Sequence, residues 1–140
     1  MQKYKKKLVA VLNGGGSIGE IMNALGHMSI GIGSGTKEKK ELMMVDYIDG
    51  DGFSHKNLSE LPFIILKAKK QQELVALRKK LLEKNINFID YPNFLNLIGT
   101  FGDKEESKNF KKEDIGYLGI VIFDDWDIVT EMTKNFFLWK

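Results

Sequence analysis

The sequence predicts a layered α/β fold with a largely parallel sheet. Two observations carry this. Short apolar runs recur along the chain, and stretches with helically spaced apolar residues separate them. A third observation is size: 140 residues amount to one domain, and no linker, internal repeat or low-complexity tract divides them. We therefore expect a single domain over residues 1–140.

Leu8–Leu12 is an apolar run that reads as a buried strand, broken by Asn13-Gly-Gly-Gly16. From Ser17 the residues Ile18, Ile21, Met22, Leu25, Met28 and Ile32 fall at helical spacing. Ser17 with Glu20 forms the S-x-x-E pattern of a capping box, and Gly31, Gly33 and Gly35 are expected to end the helix. Leu42–Val45 begins a second strand, and Asp49-Gly-Asp-Gly52 is a turn signal. Phe63–Leu66 is a third strand. Leu74, Leu77, Leu81 and Leu82 then mark an amphipathic helix from about Gln71 to Lys84. Asn87–Asp90 reads as a short strand, stopped at Tyr91-Pro92. Phe94, Leu95, Leu97 and Ile98 suit a helical turn or two, and Gly102–Asp114 is a charge-rich surface excursion. Tyr117–Phe123 is the strongest strand pattern in the chain. A helix from Asp125, capped by its run of aspartates, and a short apolar strand Phe136–Trp139 close the sequence.

Composition narrows the function classes. Hydrophobic residues at 43% and charged residues at 29% suit a globular core rather than a disordered chain. There is no cysteine, which removes disulfides, thiol nucleophiles and thiolate metal sites and fits a cytoplasmic setting. The apolar stretch after the N-terminal lysines is too short for a signal-peptide core, and no apolar run approaches the ~20 residues of a membrane span. The net charge of +2 is weak, and only Arg78 among the 21 basic residues is arginine. Lysine is a point charge without the planar fork that reads phosphate and base edges, so a solvated lysine surface is the simpler reading.

Gly14, Gly16 and Gly19 match G-x-G-x-x-G between a strand and a helix, the setting of a dinucleotide turn. Asp46, at the end of the second strand, is placed to face a ribose, although it lies beyond the usual spacing. The competing reading is a plain strand-to-helix turn in a glycine-rich chain.

The stretch Gly19-Glu-Ile-Met-Asn-Ala-Leu-Gly-His27 is similar to the G-K-I-A-A-Q-x-x-H-A segment of peptidyl-tRNA hydrolase II. Tyr117–Phe123, Ile128–Thr133 and Phe137–Trp139 resemble that family's last strand, helix and final short strand. The likeness is closer still to an uncharacterised bacterial family of the same fold. It rests on Gly19 with Asn23, on Val45-Asp46 with Gly50, on Ile65–Ala68, and on the Y-L-G-I strand at Tyr117. The resemblance spans Lys7 to Lys140. It implies a mixed sheet of about four strands with helices on both faces, in an α/β/α arrangement of three layers, and a homodimer. No cofactor is expected.

The hydrolase site does not carry across whole. The family's helix lysine falls on Glu20 and its helix glutamine on Ala24, while its strand acid falls on Asp90. The family's later threonine finds no match between Asp114 and Tyr117. A site for an anionic tRNA end should not exchange its lysine for a glutamate. The resemblance thus implies a relative that has lost that reaction and binds a small ligand or a protein partner. The alternatives are a hydrolase on peptidyl-tRNA or a related ester, or a nucleotide binder.

The candidate residues are Glu20, Asn23, His27 and Asp90. Asn23 and His27 lie four apart on one helix face, and histidine titrates near neutrality. Asp90 sits where a strand's carboxyl end meets a loop, the usual ligand position of open α/β sheets. Against these stand a helix-capping glutamate, a packed histidine and a turn aspartate. No H-x-x-x-H or H-x-x-E-H pattern groups His27, Glu20, Asp90 and Asp46 into a metal site, and no G-x-S-x-G elbow is present.

Overall fold

The computed structural model describes residues 3–97 and 106–140. The central strand is β1 (Lys6–Asn13), whose residues Leu8 to Leu12 are all buried. Burial on both faces explains why the run is apolar without alternation. Strand β4 (Phe63–Ala68) pairs with β1 in parallel and β6 (Tyr117–Asp125) pairs with it antiparallel. With β5 (Phe88–Pro92) and β7 (Phe137–Leu138) at the edges, the sheet has five strands in the order β5-β6-β1-β4-β7.

Two expectations about the sheet need correction. It has five strands rather than about four, and only the β1–β4 ladder is parallel. The sheet is mixed. Ladder orientations make β1, β4 and β5 run one way and β6 and β7 the other. Each helical crossover therefore joins strands of like direction, as such connections must. β6 inserts antiparallel between β5 and β1, which keeps these like-directed strands apart.

Helix α1 (Ile18–Gly35) buries Ile21, Ala24, Met28 and Ile32 on one sheet face, against Leu8, Ala10 and Leu12. Helix α2 (Gln71–Glu83) and helix α4 (Trp126–Thr133) cover the other face. There Leu74, Leu77, Leu81 and Val129 meet Val9, Val11, Ile120 and Ile122. A single turn, α3 (Phe94–Leu97), follows β5.

Helix ends depart from the sequence reading. Ser17 occupies the N-cap position of α1 in an extended conformation but makes no side-chain cap bond, so the capping box does not form. At the start of α2 it is Glu73 that reaches back, accepting from the Lys69 N–H at 3.0 Å. Asp125 is the N-cap of α4 and likewise makes no side-chain cap bond. Its neighbour Asp124 accepts instead from the Asn87 and Asp125 N–H groups. Gly31 and Gly33 do not end α1, which runs on to Gly35. Each glycine costs the helix about 1 kcal/mol of propensity, but burial of Met28 and Ile32 outweighs it. Lys39 Nζ satisfies the Gly33 and Ser34 carbonyls at the helix end.

The second predicted strand leaves the main sheet. Strand β2 (Met44–Ile48) pairs with β3 (Ser54–Ser59) in a separate two-stranded sheet. Leu58 is the one apolar residue of β3, which hid it from a hydropathy reading. The Asp49–Gly52 turn forms as expected, with Asp49 Oδ1 accepting from the Asp51 and Phe53 N–H groups. Tyr47, Ile48, Phe53 and Leu58 of this hairpin are exposed. Beyond α3, Glu106–Asn109 and Lys112–Asp114 form 3-10 turns within the expected surface excursion. Ile98 and the excursion's first residues, 102–105, lie outside the described residues.

Leu74 is fully buried between α2 and the sheet. Leu74→Ala should lower the unfolding free energy by about 2–5 kcal/mol. Urea denaturation checks this as a lower midpoint at unchanged slope.

Candidate functional site

The chain leaves β1 into α1 on one face of the sheet and leaves β4 into α2 on the other. These strands are neighbours, so the carboxyl ends of β1 and β4 flank a topological switch point. Open α/β sheets bind ligands in the crevice at such points. The register places Asn13, the last residue of β1, beside Ala68, the last of β4, and brings Gln71 at the start of α2 to Asn13.

Three carboxamides converge there. Asn13 Nδ2 donates to Gln71 Oε1 at 2.7 Å and to the Tyr117 carbonyl at 3.2 Å. Asn93, just after β5, is bonded twice to Gly116: its N–H donates to the Gly116 carbonyl at 2.8 Å, and its Oδ1 accepts from the Gly116 N–H at 3.3 Å. Asn13 Oδ1 is held by the Gly15 N–H at 2.9 Å, which fixes Nδ2 toward Gln71. Beside the amides opens a cavity of about 500 Å3, lined in part by Gln72, Val75, Lys79 and Asn93. Cavities of similar volume lie at the opposite end of the sheet, so volume alone does not choose between them.

The four residues singled out from the sequence do not form one site. Glu20, Asn23 and His27 are exposed on α1 and gather around Tyr91 of β5. Asn23 hydrogen-bonds the Tyr91 hydroxyl, and the His27 ring lies 6.3 Å from the Tyr91 ring. Burial pushes the Tyr91 phenol above its ordinary pKa, partly offset by the Asn23 bond. Asp90 points to the other face, because successive strand residues alternate. There Arg78 Nε donates to Asp90 Oδ2 at 2.7 Å, with the guanidinium between the Phe88 and Tyr117 rings. The sheet thus stands between Asp90 and the α1 trio. Asn23 and Asp90 therefore do not share one cleft.

The glycine turn is not arranged as a phosphate cradle. Gly14 N–H donates to the Ala68 carbonyl at 2.8 Å, Gly15 N–H to Asn13 Oδ1, and Gly16 N–H to the Asn13 carbonyl at 3.4 Å. A phosphate would need those donors free. Packing accounts for two of the glycines: a Cβ on Gly14 would lie 2.9 Å from the Ala68 carbonyl oxygen, and one on Gly16 would lie 2.7 Å from Ile21 Cδ1. Nothing lies within 4 Å of a Cβ on Gly19. Asp46 belongs to the hairpin, where its Oδ1 accepts from the Asn57 N–H across the β2 bulge. Among the described residues no three His, Asp or Glu side chains form a group able to hold a metal ion.

Asn13, Gln71, Asn93 and Arg78 were missed from sequence because nothing local marks them. Asn13 and Gln71 stand at element boundaries, where polar residues are ordinary, and only the β1–β4 register makes them neighbours.

A family model described as a protein of unknown function, DUF2000, matches residues 6–140. This chain belongs to the DUF2000 family. The expectation of an uncharacterised family is met at that level. The fold is similar to the solved structure of a protein of unknown function from Agrobacterium tumefaciens strain C58, with a TM-score of 0.83 and 21% identity. The match covers 98% of this DUF2000 chain and 99% of that one. At this identity it speaks for the fold alone. No curated protein matches the chain. No helix among the described residues is long and apolar enough to cross a membrane.

Two substitutions probe the site's construction. Gly116→Ala would place a Cβ 2.6 Å from Gln71 Nε2 and 2.8 Å from Asn93 Nδ2. It should destabilise by about 1–3 kcal/mol, measured by urea denaturation, where a strain-free Gly→Ala change would stabilise. Arg78→Ala leaves a half-buried Asp90 without its partner. It should cost about 1–3 kcal/mol in the same measurement, with Asp90→Asn in the Arg78→Ala background restoring part of the loss.

Proposed function

We propose that this DUF2000 protein is a binding protein for a small polar ligand, seated at the carboxyl ends of β1 and β4. The observation that carries the reading is the convergence of Asn13, Gln71 and Asn93 at a topological switch point beside an open cavity. Each carboxamide carries a donor and an acceptor side by side, which matches a ligand edge of the same kind, such as a primary amide or a nucleobase edge. Helices on both faces of the sheet support an α/β/α arrangement in three layers of the peptidyl-tRNA hydrolase II kind. On this reading the chain is one cytoplasmic domain that acts as a homodimer.

In this proposal the hydrolase reaction is absent. Asp90, the acid that the resemblance would make catalytic, is engaged by Arg78 and lies across the sheet from Glu20, Asn23 and His27. General acid–base work needs the acting groups within reach of one reacting centre.

Thermal denaturation with nicotinamide, glutamine, cytosine and adenine at millimolar concentration tests the binding. At least one should raise Tm, since ligand that binds only the folded state adds RT ln(1 + [L]/Kd). Gln71→Leu should abolish that rise. A flat response to all four probes, or a rise that survives Gln71→Leu, overturns the site. Labelled, N-blocked aminoacyl-tRNA at high protein concentration should stay intact. Cleavage that Asp90→Asn removes would restore the hydrolase reading.

A further inference from the structure

A second cavity lies at the amino end of β1, about 23 Å along the strand from Asn13. It measures about 540 Å3, within the range of small-molecule sites. The N-terminal segment and the 3-10 turn Lys39–Leu42 form its walls, and buried Leu61 contributes apolar surface. The Lys5 carbonyl accepts from the Trp126 N–H at 2.8 Å, which fixes the N-terminal wall. Lys6 Nζ bridges to Glu41 Oε2 at 2.7 Å, which ties that wall to the turn and neutralises both charges.

What remains is unbalanced. Lys3, Lys5 and Lys40 line the cavity with Asp125 as the one other acid of its lining. Tyr4 and, more weakly, Glu60 hold the Lys3 ammonium above its ordinary pKa. The Tyr4 ring, Met43 and Leu61 add apolar surface to the lining.

Met43 adds a separate observation. Its backbone is left-handed, with φ 51° and ψ 48°. Such a conformation is uncommon for a residue with a side chain and persists only where the surroundings fix it. Here the Met43 N–H donates to the Lys40 carbonyl at 3.1 Å, and the Met43 carbonyl accepts from the Glu60 N–H at 3.0 Å. Met43 in this conformation lines the cavity, and a methionine side chain adapts to irregular apolar shapes.

We infer that this cavity binds an anion with an apolar body, of the class of a medium-chain carboxylate, with its head among Lys3, Lys5 and Lys40 and its chain against Tyr4, Met43 and Leu61. The excess positive charge selects the head group. The apolar wall selects against small hydrophilic anions, which would gain nothing from Met43 and Leu61. The site is independent of the carboxamide crevice.

Isothermal titration of the full chain with sodium decanoate, below its micelle concentration, tests the inference. Decanoate should bind with Kd at or below about 100 µM, and acetate and decyltrimethylammonium at least about tenfold more weakly. The Lys3→Glu, Lys40→Glu double variant should lose at least about tenfold in decanoate affinity with Tm unchanged. Met43→Asn suits the left-handed backbone, so it should keep or raise Tm while weakening decanoate. Gln71→Leu should leave decanoate binding as it is. No heat at millimolar decanoate, equal binding of the cationic amphiphile, or undiminished binding in either cavity variant overturns the inference. So does loss of binding in Gln71→Leu.

Discussion

Strand β1 is hydrogen-bonded along both edges and covered on both faces. Its parallel ladder to β4 and its antiparallel ladder to β6 leave no backbone polar group between Leu8 and Leu12 dependent on water. Apolar side chains must therefore point both ways, and two helical layers must meet them. The switch point follows from the same constraint. A strand needing cover on both faces is served by sending α1 to one side and α2 to the other, and the crevice opens where those paths part. Asn13 ends β1 at that place, and its amide takes over where the ladder stops.

Alternation along β5 has the largest effect on the functional reading. Asp90 and Tyr91 are adjacent in sequence yet serve different faces: one pairs with Arg78, the other receives Asn23. A strand acid and a helix histidine can each look catalytic in one dimension while a sheet keeps them apart. The same sheet gathers polar groups at its end, where side chains from both layers can meet around the strand termini.

The elements legible in the sequence were those whose burial writes a period. Leu8–Leu12, Tyr117–Phe123 and the leucines of α2 read directly, and the α2 boundaries agree within a residue. Strand β3 was invisible because Ser54–Ser59 is solvated and owes its pairing to a turn and a bulge. Strand order was equally hidden, since hydropathy reports which residues are covered and not which strand lies beside which. The site suffered most. Glu20, Asn23 and His27 share a helix face, so their grouping was readable from spacing, and Tyr91 is the partner that spacing could not supply. The amides were not readable, because Asn13, Gln71 and Asn93 are 58 and 22 residues apart along the chain and meet only through register.

The ion pair of Arg78 with Asp90 reaches beyond local stability. It occupies the chain's one guanidinium, clasped between two aromatic rings on the α2 side of the sheet. Any contact with a phosphate polyanion is then left to lysines, which act through displacement of condensed counterions rather than shape-matched forks. Such an attachment would fade steeply as ionic strength rises and would not distinguish one sequence from another.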